Sequence, residues 1–315
     1  MYLYQAPLEG ITGYIFRKAI YEVFGGIDKY FAPFISPYEK RIVAEKEINQ
    51  LCPEHNIGYK LVPQILSMDY KGTIELIDWL YENFGYDEFN LNFGCPSGTV
   101  VSKGRGAGAL KNLDILEKYL DYIFTNTNKR ISIKTRIGLH NIDEFESILS
   151  IYNKYQFEEL IIHPRVKDEL YKGLPHKDIY HYAENNSVNP LIYNGNIFSV
   201  GDYENISKDI GSQTIGIMIG RGMISNPAIY REIKGGEPMS KDELSLFLHI
   251  IMDSYLAEFS GETPVLHKMK EIWSYLGDNL VTTHNISEKT IKKIKKSKNI
   301  NEYKAFEREA LSTYD

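Results

Sequence analysis

The sequence is poor in cysteine and has no long apolar run. Among its 315 residues the two cysteines, Cys52 and Cys95, form no Cys-x-x-Cys pair, so we expect neither a disulfide framework nor a zinc site. No run of about eighteen apolar residues occurs, and the opening MYLYQAPLEG lacks a basic segment followed by an apolar one. These absences predict a cytoplasmic protein in a reducing compartment, without a metal or a membrane segment.

An excess of basic residues is also missing. Lys and Arg number 36 against 42 Asp and Glu, which gives a net charge of -6 at pH 7. This balance argues against a protein that coats nucleic acid indiscriminately, although a local basic patch is compatible with it. The segment EKTIKKIKKSKN has six lysines between Lys289 and Lys298. Its composition alone favours a solvated helix face over a phosphate-contacting patch.

Strand and helix patterns alternate regularly along most of the chain. Eight short β-rich runs are YLYQA, KYFAPFI, KLVPQIL, EFNLNF, ISIKTRIG, ELIIHPR, PLIYNG and TIGIMIG. Between them, apolar residues recur at three- and four-residue spacing in the stretches Tyr14 to Phe24, Glu39 to Leu51, Thr73 to Asn83, Asp114 to Phe124 and Asp143 to Tyr155. Eight repeats favour a (β/α)8 TIM barrel over a doubly wound open sheet.

The pattern changes after KGGEP, Lys234 to Pro238, where paired glycines and a proline mark a boundary. Ser240 and Glu243 then fit a capping box at the start of a helix. The later segments TPVLHKMKEIWSYLG and NEYKAFEREALSTY are also helical in pattern. We predict an α/β protein with two domains, a TIM-barrel catalytic domain over 1–235 and a smaller all-helical domain over 240–315.

Polar residues collect where a barrel would place its active site, at the carboxyl ends of the strands. They are Gln64, Asn92, Cys95, Lys134, Arg136, His163, Arg165, Asn194 and Arg221. A single polar residue at a strand end is more often structural. Their coincidence on most strands favours a functional site.

Two glycine-containing loops predict a phosphorylated cofactor. YNGNI and IGRGMISNP follow the seventh and eighth strand runs and place backbone amides before helix starts. Lys134, among apolar neighbours, would need an anionic or hydrogen-bonding partner, which a reduced flavin would supply. The motif GRGAGA, Gly104 to Ala109, has the letters of a dinucleotide fingerprint but follows no core strand. We interpret it as part of a flexible loop that carries Cys95 and can move over a substrate.

Several motifs occur in the order and spacing of one enzyme family. APLEGIT, NLNFGCPSGTVVSKGRGAGAL, IKTRIG, HPRVKDELYKG, YNGNI, IGRGMISNP and HKMKEIWSYLG resemble the tRNA-dihydrouridine synthases over the barrel and into the helical part. The resemblance implies a flavoprotein oxidoreductase that uses FMN and NADPH to reduce the C5–C6 double bond of specific uridines in tRNA. It implies tRNA as the partner, and we expect a monomer.

The resemblance also implies roles for individual residues. Cys95 resembles the catalytic proton donor. The positions that resemble FMN contacts are Pro7, Leu8, Glu9, Gln64, Lys134, His163, Asn194, Gly195, Asn196, Gly220 and Arg221. The residues expected to bind the RNA substrate are Asn92, Arg165, Lys103, Arg105, Lys292 and Lys293, with Arg41 as a further candidate.

The role of Cys95 agrees with ordinary thiol chemistry. A thiol with a pKa of about 8.5 is mostly protonated at neutral pH, so it can give a proton to uridine C5 while hydride reaches C6. A nucleophilic cysteine would instead need a neighbouring histidine and a depressed pKa. Two alternatives stay open, another FMN-dependent TIM-barrel oxidoreductase that acts on a free pyrimidine and a non-catalytic tRNA-binding protein. Cys52 is expected in the core.

Overall fold

A computed structural model describes residues 1–38 and 43–314 of the chain. Its strands are β1 (Tyr2–Gln5), β2 (Lys29–Phe31), β3 (Leu61–Val62), β4 (Gln64–Ile65), β5 (Glu88–Phe93), β6 (Arg130–Arg136), β7 (Leu160–His163), β8 (Leu191–Tyr193) and β9 (Thr214–Ile219). They form one sheet in the order β3-β2-β1-β9-β8-β7-β6-β5-β4, and each pairing is parallel.

The barrel closes at Pro63, because β3 and β4 are two halves of one barrel strand. β3 pairs with β2, and β4 pairs with β5. Proline has no N–H, so the ladder is interrupted there, but the Pro63 carbonyl still accepts a hydrogen bond from the Asn90 N–H at 3.0 Å. Counting β3 and β4 as one strand leaves eight, and the predicted (β/α)8 TIM barrel is confirmed.

Helices follow the strands and form the C-terminal region. They are α1 (Tyr14–Val23), α2 (Glu45–Leu51), α3 (Tyr70–Phe84), α4 (Gly98–Val101), α5 (Leu113–Asn126), α6 (Glu144–Tyr152), α7 (Lys177–Asn186), α8 (Val200–Asp209), α9 (Arg221–Ser225), α10 (Ile229–Ile233), α11 (Lys241–Glu258), α12 (Glu262–Thr283), α13 (Glu288–Lys296) and α14 (Ile300–Ser312). The predicted helical C-terminal region is confirmed. Among the residues described, no helix is both long and apolar enough to cross a lipid bilayer.

The five predicted helical stretches correspond to α1, α2, α3, α5 and α6, although the first residues of the stretch Glu39 to Leu51 lie outside the described residues. The prediction that Cys52 lies in the core is wrong. Cys52 is the residue that ends α2, it is partly exposed, and its thiol donates a hydrogen bond to the Glu54 carboxylate. The helix ends there because Pro53 follows, and the residue before a proline disfavours helical geometry.

The chain divides into two compact units. The first comprises Met1–Pro7, Asp28–Asn196 and Asn205–Ile219, and the second comprises Leu8–Ile27, Ile197–Glu204 and Gly220–Asp315. All the strands belong to the first unit. Its interior is filled by one cluster of buried apolar side chains from six strands and the residue after β1, namely Tyr4, Ala6, Phe31, Val62, Ile161, Ile192 and Met218.

The second unit contains the predicted capping box. The Glu243 N–H donates to Ser240 Oγ at 3.3 Å, and the Ser240 N–H donates to Glu243 Oε2 at 2.9 Å, so both residues satisfy N–H groups at the start of α11. Helices α12 and α14 are joined by a buried hydrogen bond from Trp273 Nε1 to the Tyr303 hydroxyl at 2.7 Å. The proposed domain boundary between residues 235 and 240 stays a prediction.

A buried ion cluster lies at the amino-terminal ends of the barrel strands. Lys29 Nζ is 2.6 Å from Glu88 Oε1 and 2.7 Å from Glu159 Oε1, and all three side chains are almost excluded from solvent. Lys60 and Arg130 approach the other oxygen of Glu88 at 2.6 Å and 3.2 Å. In TIM barrels this end of the sheet supports stability.

The same cluster has the donor spacing of a metal site. Carboxylate oxygens of Glu88, Glu158 and Glu159 lie within 4.8 Å of one another. Lys29 and Arg130 already face these oxygens, since Arg130 also reaches Glu158 at 3.2 Å. The carboxylates therefore have protein partners, and the expected absence of a metal stays a prediction.

Candidate active site

A network of side-chain hydrogen bonds crosses β4, β5 and β6. Gln64 Nε2 donates to Asn90 Oδ1 at 2.7 Å, and Asn92 Nδ2 donates to Gln64 Oε1 at 2.8 Å. Asn90 Nδ2 in turn donates to Ser132 Oγ at 2.8 Å. All four residues are buried, so the bonds fix the orientation of each amide. The predicted site residues Gln64 and Asn92 are thus in direct contact.

Cys95 lies in a turn that hydrogen bonds hold from both sides. Asn92 Oδ1 accepts from the N–H groups of Gly94 at 3.0 Å and Cys95 at 2.9 Å. The Cys95 carbonyl accepts from the Ala107 N–H at 3.0 Å. A Cβ at Gly106, where φ is +56°, would lie 2.8 Å from that carbonyl oxygen, so glycine is required there. Cys95 itself is partly exposed.

Arg136, at the end of β6, ties two loops together. Its Nε donates to the Gly94 carbonyl at 3.0 Å, beside Cys95. Its two terminal nitrogens donate to the carbonyls of Val166 at 3.0 Å and Leu170 at 2.9 Å, in the loop after β7. The sequence places Arg136 at a strand end but gives it no role, because partners from two separate loops leave no local signal.

Lys134 precedes this arginine by two residues and has no ion pair with any residue that the structure describes. Burial, followed by the charge of Arg136, lowers the pKa of its amine to about 7, and the nearby Cys95 opposes this shift. Part of the side chain stays accessible. A desolvated amine without a carboxylate favours an anionic ligand, and this fits the flavin predicted there.

His163 ends β7 and is neutral. Burial lowers the pKa of its imidazole well below the ordinary value, and the charges of Arg136, Lys134 and Arg165 lower it further. Arg165 can only donate hydrogen bonds, so its Nη1 donates to His163 Nε2 at 3.2 Å. This contact leaves the ring proton on Nδ1.

Arg165 is fully buried and its contacts are with protein. Its Nε donates to the Lys172 carbonyl at 3.1 Å, and its Nη2 donates to the Gly173 carbonyl at 2.5 Å and to Asn196 Oδ1 at 3.2 Å. The side chain therefore orders the loop after β7 and the residues after β8. Its predicted contact with the substrate stays a prediction.

The segment after β8 brings Asn194 and Gly195 to the same rim. Asn194 Nδ2 donates to the Met218 carbonyl of β9 at 2.8 Å. A Cβ at Gly195 would collide with the ring of Tyr193, so the backbone there needs glycine. The rim of the first unit thus brings together Gln64, Asn92, Cys95, Lys134, His163, Arg165, Asn194, Gly195 and Asn196.

The family model described as "Dihydrouridine synthase (Dus)" matches residues 4–311. This chain belongs to the dihydrouridine synthase family. It is 29% identical over 268 residues to the tRNA-dihydrouridine(16) synthase of Pseudomonas syringae pv. tomato, covering 81% of this chain and 83% of that one. It is 28% identical over 298 residues to the protein of the same name from Cupriavidus necator, covering 87% of each.

Solved structures show the same fold at low identity. Morphinone reductase superposes with a TM-score of 0.52 at 13% identity, covering 78% of this chain and 88% of that one. Histamine dehydrogenase from Rhizobium sp. 4-9 gives a TM-score of 0.54 at 11% identity, covering 74% of this chain and 45% of that one. Membership of the dihydrouridine synthase family implies a flavin as the cofactor of this oxidoreductase.

The remaining predicted flavin contacts are Pro7, Leu8, Glu9, Gly220 and Arg221. Pro7 closes the first segment of the first unit, while Leu8 and Glu9 open the second unit. There the Leu8 N–H donates to Thr12 Oγ1 at 2.8 Å. Gly220 precedes α9, whose first residue, Arg221, places its guanidinium 5.4 Å from the centre of the Phe198 ring. These flavin contacts stay predictions.

The predicted RNA contacts differ in their surroundings. Lys103 is exposed and Arg105 partly exposed in the loop after α4, and Arg41 lies outside the described residues. On α13, Lys292 pairs with Glu288 at 3.0 Å. Lys293, the second predicted contact on α13, has its Nζ 2.8 Å from Glu309 Oε1. The two lysines chosen from sequence are therefore partly neutralised, although both pairs are accessible to solvent and hence weak.

Proposed function

We propose that this protein reduces the C5–C6 double bond of uridines in tRNA to 5,6-dihydrouridine, with FMN as the bound cofactor and NADPH as the reductant. The observation that carries this proposal is the position of Cys95, which Asn92 holds at the rim that also bears Lys134 and His163. Membership of the dihydrouridine synthase family agrees with it.

The residues at the rim suit a flavin. FMN, when bound, supplies the hydride that the reaction needs. The cationic form of Lys134 would complement an anionic flavin ring, and the neutral imidazole of His163 would offer a hydrogen bond without adding charge. Gln64, whose amide is already oriented by Asn90 and Asn92, would meet the ring edge. Asn194, Gly195 and Asn196 would contact the ribityl chain and phosphate.

Cys95 would supply the proton. Reduction adds a hydride to C6 and a proton to C5 of the uridine, while NADPH is oxidised to NADP+. The thiol gives its proton to C5 and regains one from solvent, so the protein ends unchanged. Since Asn92 and Ala107 fix the backbone of Cys95, the donor is positioned before the RNA arrives.

A non-catalytic tRNA-binding protein would have no use for this arrangement. Binding alone requires neither a desolvated amine nor a thiol held at its side. An oxidoreductase for a free pyrimidine would need the same rim, so the substrate decides between the two enzymes. Relatives from P. syringae and C. necator are named for position 16 of tRNA, and this position is the first to examine.

The test uses the purified protein, an unmodified tRNA transcript and free uridine. We expect a yellow protein whose flavin absorbance is bleached by NADPH, and dihydrouridine in the tRNA but not in the free nucleoside, measured by mass spectrometry. Cys95→Ala should retain the flavin and its bleaching by NADPH, but it should form dihydrouridine more slowly than the wild type does. Reduction of free uridine with intact tRNA left unchanged would contradict the proposal.

A further inference from the structure

A cleft of about 440 Å³ opens among the loops after β5, β6 and β7 in the first unit. Its lining residues are Val101, Ser102, Gly104, Gly108, Lys111, Leu139, His140 and Lys167. These loops follow the carboxyl ends of their strands, where TIM-barrel enzymes bind ligands. The volume falls in the range of small-molecule sites, about 300–1,000 Å³.

The polar lining of the cleft is basic. Lys111, His140 and Lys167 belong to it, and none of the described residues that line it is Asp or Glu. Two carboxylates contact the lining residues. Asp168 Oδ2 is 2.6 Å from His140 Nδ1 and its Oδ1 is 2.9 Å from Lys167 Nζ, and Glu144 accepts from the N–H groups of Leu139 at 2.8 Å and His140 at 2.9 Å. Lys111 has no ion pair with any of the described residues. Lys111 is therefore the lysine of the lining whose charge no described carboxylate pairs, in a chain whose net charge is -6.

The rest of the lining is apolar or is backbone without a side chain. Val101 and Leu139 provide apolar surface. At Gly104, where φ is +68°, an added Cβ would meet no atom within 4 Å, so a ligand can approach the backbone there. At Gly108 an added Cβ would lie 2.6 Å from the Val101 carbonyl oxygen, so this glycine permits the loop to pack. The glycine motif of the sequence thus shapes the cleft.

We propose that this cleft binds the adenosine 2′-phosphate end of NADPH. The phosphate monoester would lie against Lys111 and Lys167, and the apolar surface of Val101 and Leu139 would contact the adenine. An RNA backbone needs cations but no apolar wall, and a concave cleft suits a small molecule better than a polymer. This inference rests on the proposed function, which requires a reductant of this class.

The lining of the cleft includes a neighbour of the residue that holds the Cys95 turn. Gly108 lines the cleft, and its neighbour Ala107 donates the hydrogen bond that holds the Cys95 carbonyl. The loops after β6 and β7 are joined by a backbone hydrogen bond, because the Lys167 N–H donates to the Gly138 carbonyl at 2.9 Å. The cleft and the turn of Cys95 therefore share one segment of the chain.

The experiment is titration calorimetry of the purified protein with adenosine 2′,5′-bisphosphate and with adenosine 5′-monophosphate. Wild type should bind the bisphosphate more tightly. In the double variant Lys111→Gln and Lys167→Gln we expect the bisphosphate to bind about tenfold more weakly or worse, because two charge-assisted hydrogen bonds are removed, and the monophosphate to change little. Lys118→Gln, an exposed lysine of α5, is the matched control and should leave both affinities unchanged.

Equal affinity of wild type for the two nucleotides would overturn the proposal, and so would unchanged bisphosphate affinity in a double variant that melts at the wild-type temperature. Loss of tRNA affinity with bisphosphate binding retained would assign the cleft to RNA and overturn it as well. The titration requires neither bound flavin nor RNA. A protein that binds the bisphosphate but forms no dihydrouridine would contradict the proposed function and leave this inference standing.

Discussion

The side-chain oxygen of Asn92 accepts a hydrogen bond from the backbone N–H of Cys95 at 2.9 Å. The same oxygen accepts from Gly94, while the amide nitrogen of Asn92 donates to Gln64. One side chain therefore links the proposed proton donor to the proposed flavin contact. The contacts of Asn92 in the structure are with protein, and its role towards the uridine base stays a prediction.

Replacing Asn92 tests this link. Asn92→Ala removes both acceptor contacts of the Cys95 turn, so the thiol is no longer held in place. We expect uridine reduction by the reduced enzyme to slow about 10²-fold, the cost of a small misplacement of a reacting group. Single-turnover formation of dihydrouridine in tRNA measures this rate, with the flavin content of the variant recorded alongside.

The conservative change provides the control. Asn92→Asp keeps an acceptor for the Cys95 N–H, but it loses the donor to Gln64 and adds a buried negative charge. Part of the rate should therefore return. If the alanine and aspartate variants were equally slow, positioning of Cys95 would not be the function of this side chain.

Flavin binding should take up a proton through Lys134. Its amine has a pKa of about 7 here, so at about pH 8.5 it is mostly neutral. The ring of reduced FMN is anionic at that pH, and an anion beside the amine raises its pKa, so binding reduced FMN to the apoprotein under anaerobic conditions should take up close to one proton. Calorimetry in two buffers of different ionisation enthalpy measures the uptake. Proton release in wild type, or the same uptake in Lys134→Gln, would show that another group responds.

Lys29 should be the most costly lysine to remove. Lys29→Met leaves Glu88 and Glu159 buried without their shared partner, and loss of one member of a buried ion cluster costs about 3–5 kcal/mol of unfolding free energy. Lys60→Met is the matched control, since Lys60 touches the same Glu88 but is 43% exposed, and should cost about 0–1 kcal/mol. Urea unfolding of the two variants compares these costs.

The pH dependence of the Lys29 variant has a definite sign. Burial already raises the pKa of Glu159, and Lys29 opposes this shift. Without Lys29 the folded-state pKa rises further above the unfolded value, so the folded state binds more protons and stability falls as pH rises through that pKa. The deficit of Lys29→Met should therefore shrink as pH is lowered from 7 towards 5. A deficit that grows on acidification would contradict this account.

The lysines of α13 should not contribute equally to tRNA binding. Lys292 and Lys293 have glutamate partners, whereas Lys289, Lys295 and Lys296 form no ion pair within the described part of the chain. Changing the latter three to Gln should lower the slope of log affinity against log salt by about 2, because each phosphate that a lysine neutralises adds about 0.7–0.9 to that slope. The double variant of Lys292 and Lys293 should lower it less. If the double variant lowered the salt slope as much as the triple variant or more, the glutamate partners would not weaken the contribution of Lys292 and Lys293 to tRNA binding.

The barrel was predictable from sequence because its signal is local. Each strand and helix leaves its own periodic pattern, and eight repeats suffice to count the strands. The break at Pro63 was not predictable as a point of closure, since it depends on strands β2 and β5 from distant parts of the chain. The prediction that Cys52 lies in the core was wrong because the apolar periodicity continues to the last residue of α2. Pro53 ends the helix at Cys52 and leaves that side chain partly exposed.

The site was predictable as a set of residues but not as a set of contacts. Three of the site residues lie in or at the end of apolar strand runs, namely Gln64, Lys134 and His163. Their approximate place at the rim therefore follows from their positions in those runs. The partners of Arg136 come from two loops, and those of Arg165 from the loop after β7 and from Asn196. Such contacts depend on the closed barrel. The sequence therefore predicted that both arginines lie at the rim but not which groups they contact.

Pro63 has a consequence for how the rim is assembled. Its ring restricts the backbone just before Gln64 in the unfolded chain as well as in the folded one, so less conformational entropy is lost when Gln64 is placed. Gln64 then orients Asn92, and Asn92 orients Cys95. Dipoles that are fixed during folding need no rearrangement when charge develops in a reaction. A gap in the hydrogen-bond ladder thus contributes to the preorganisation of the proton donor.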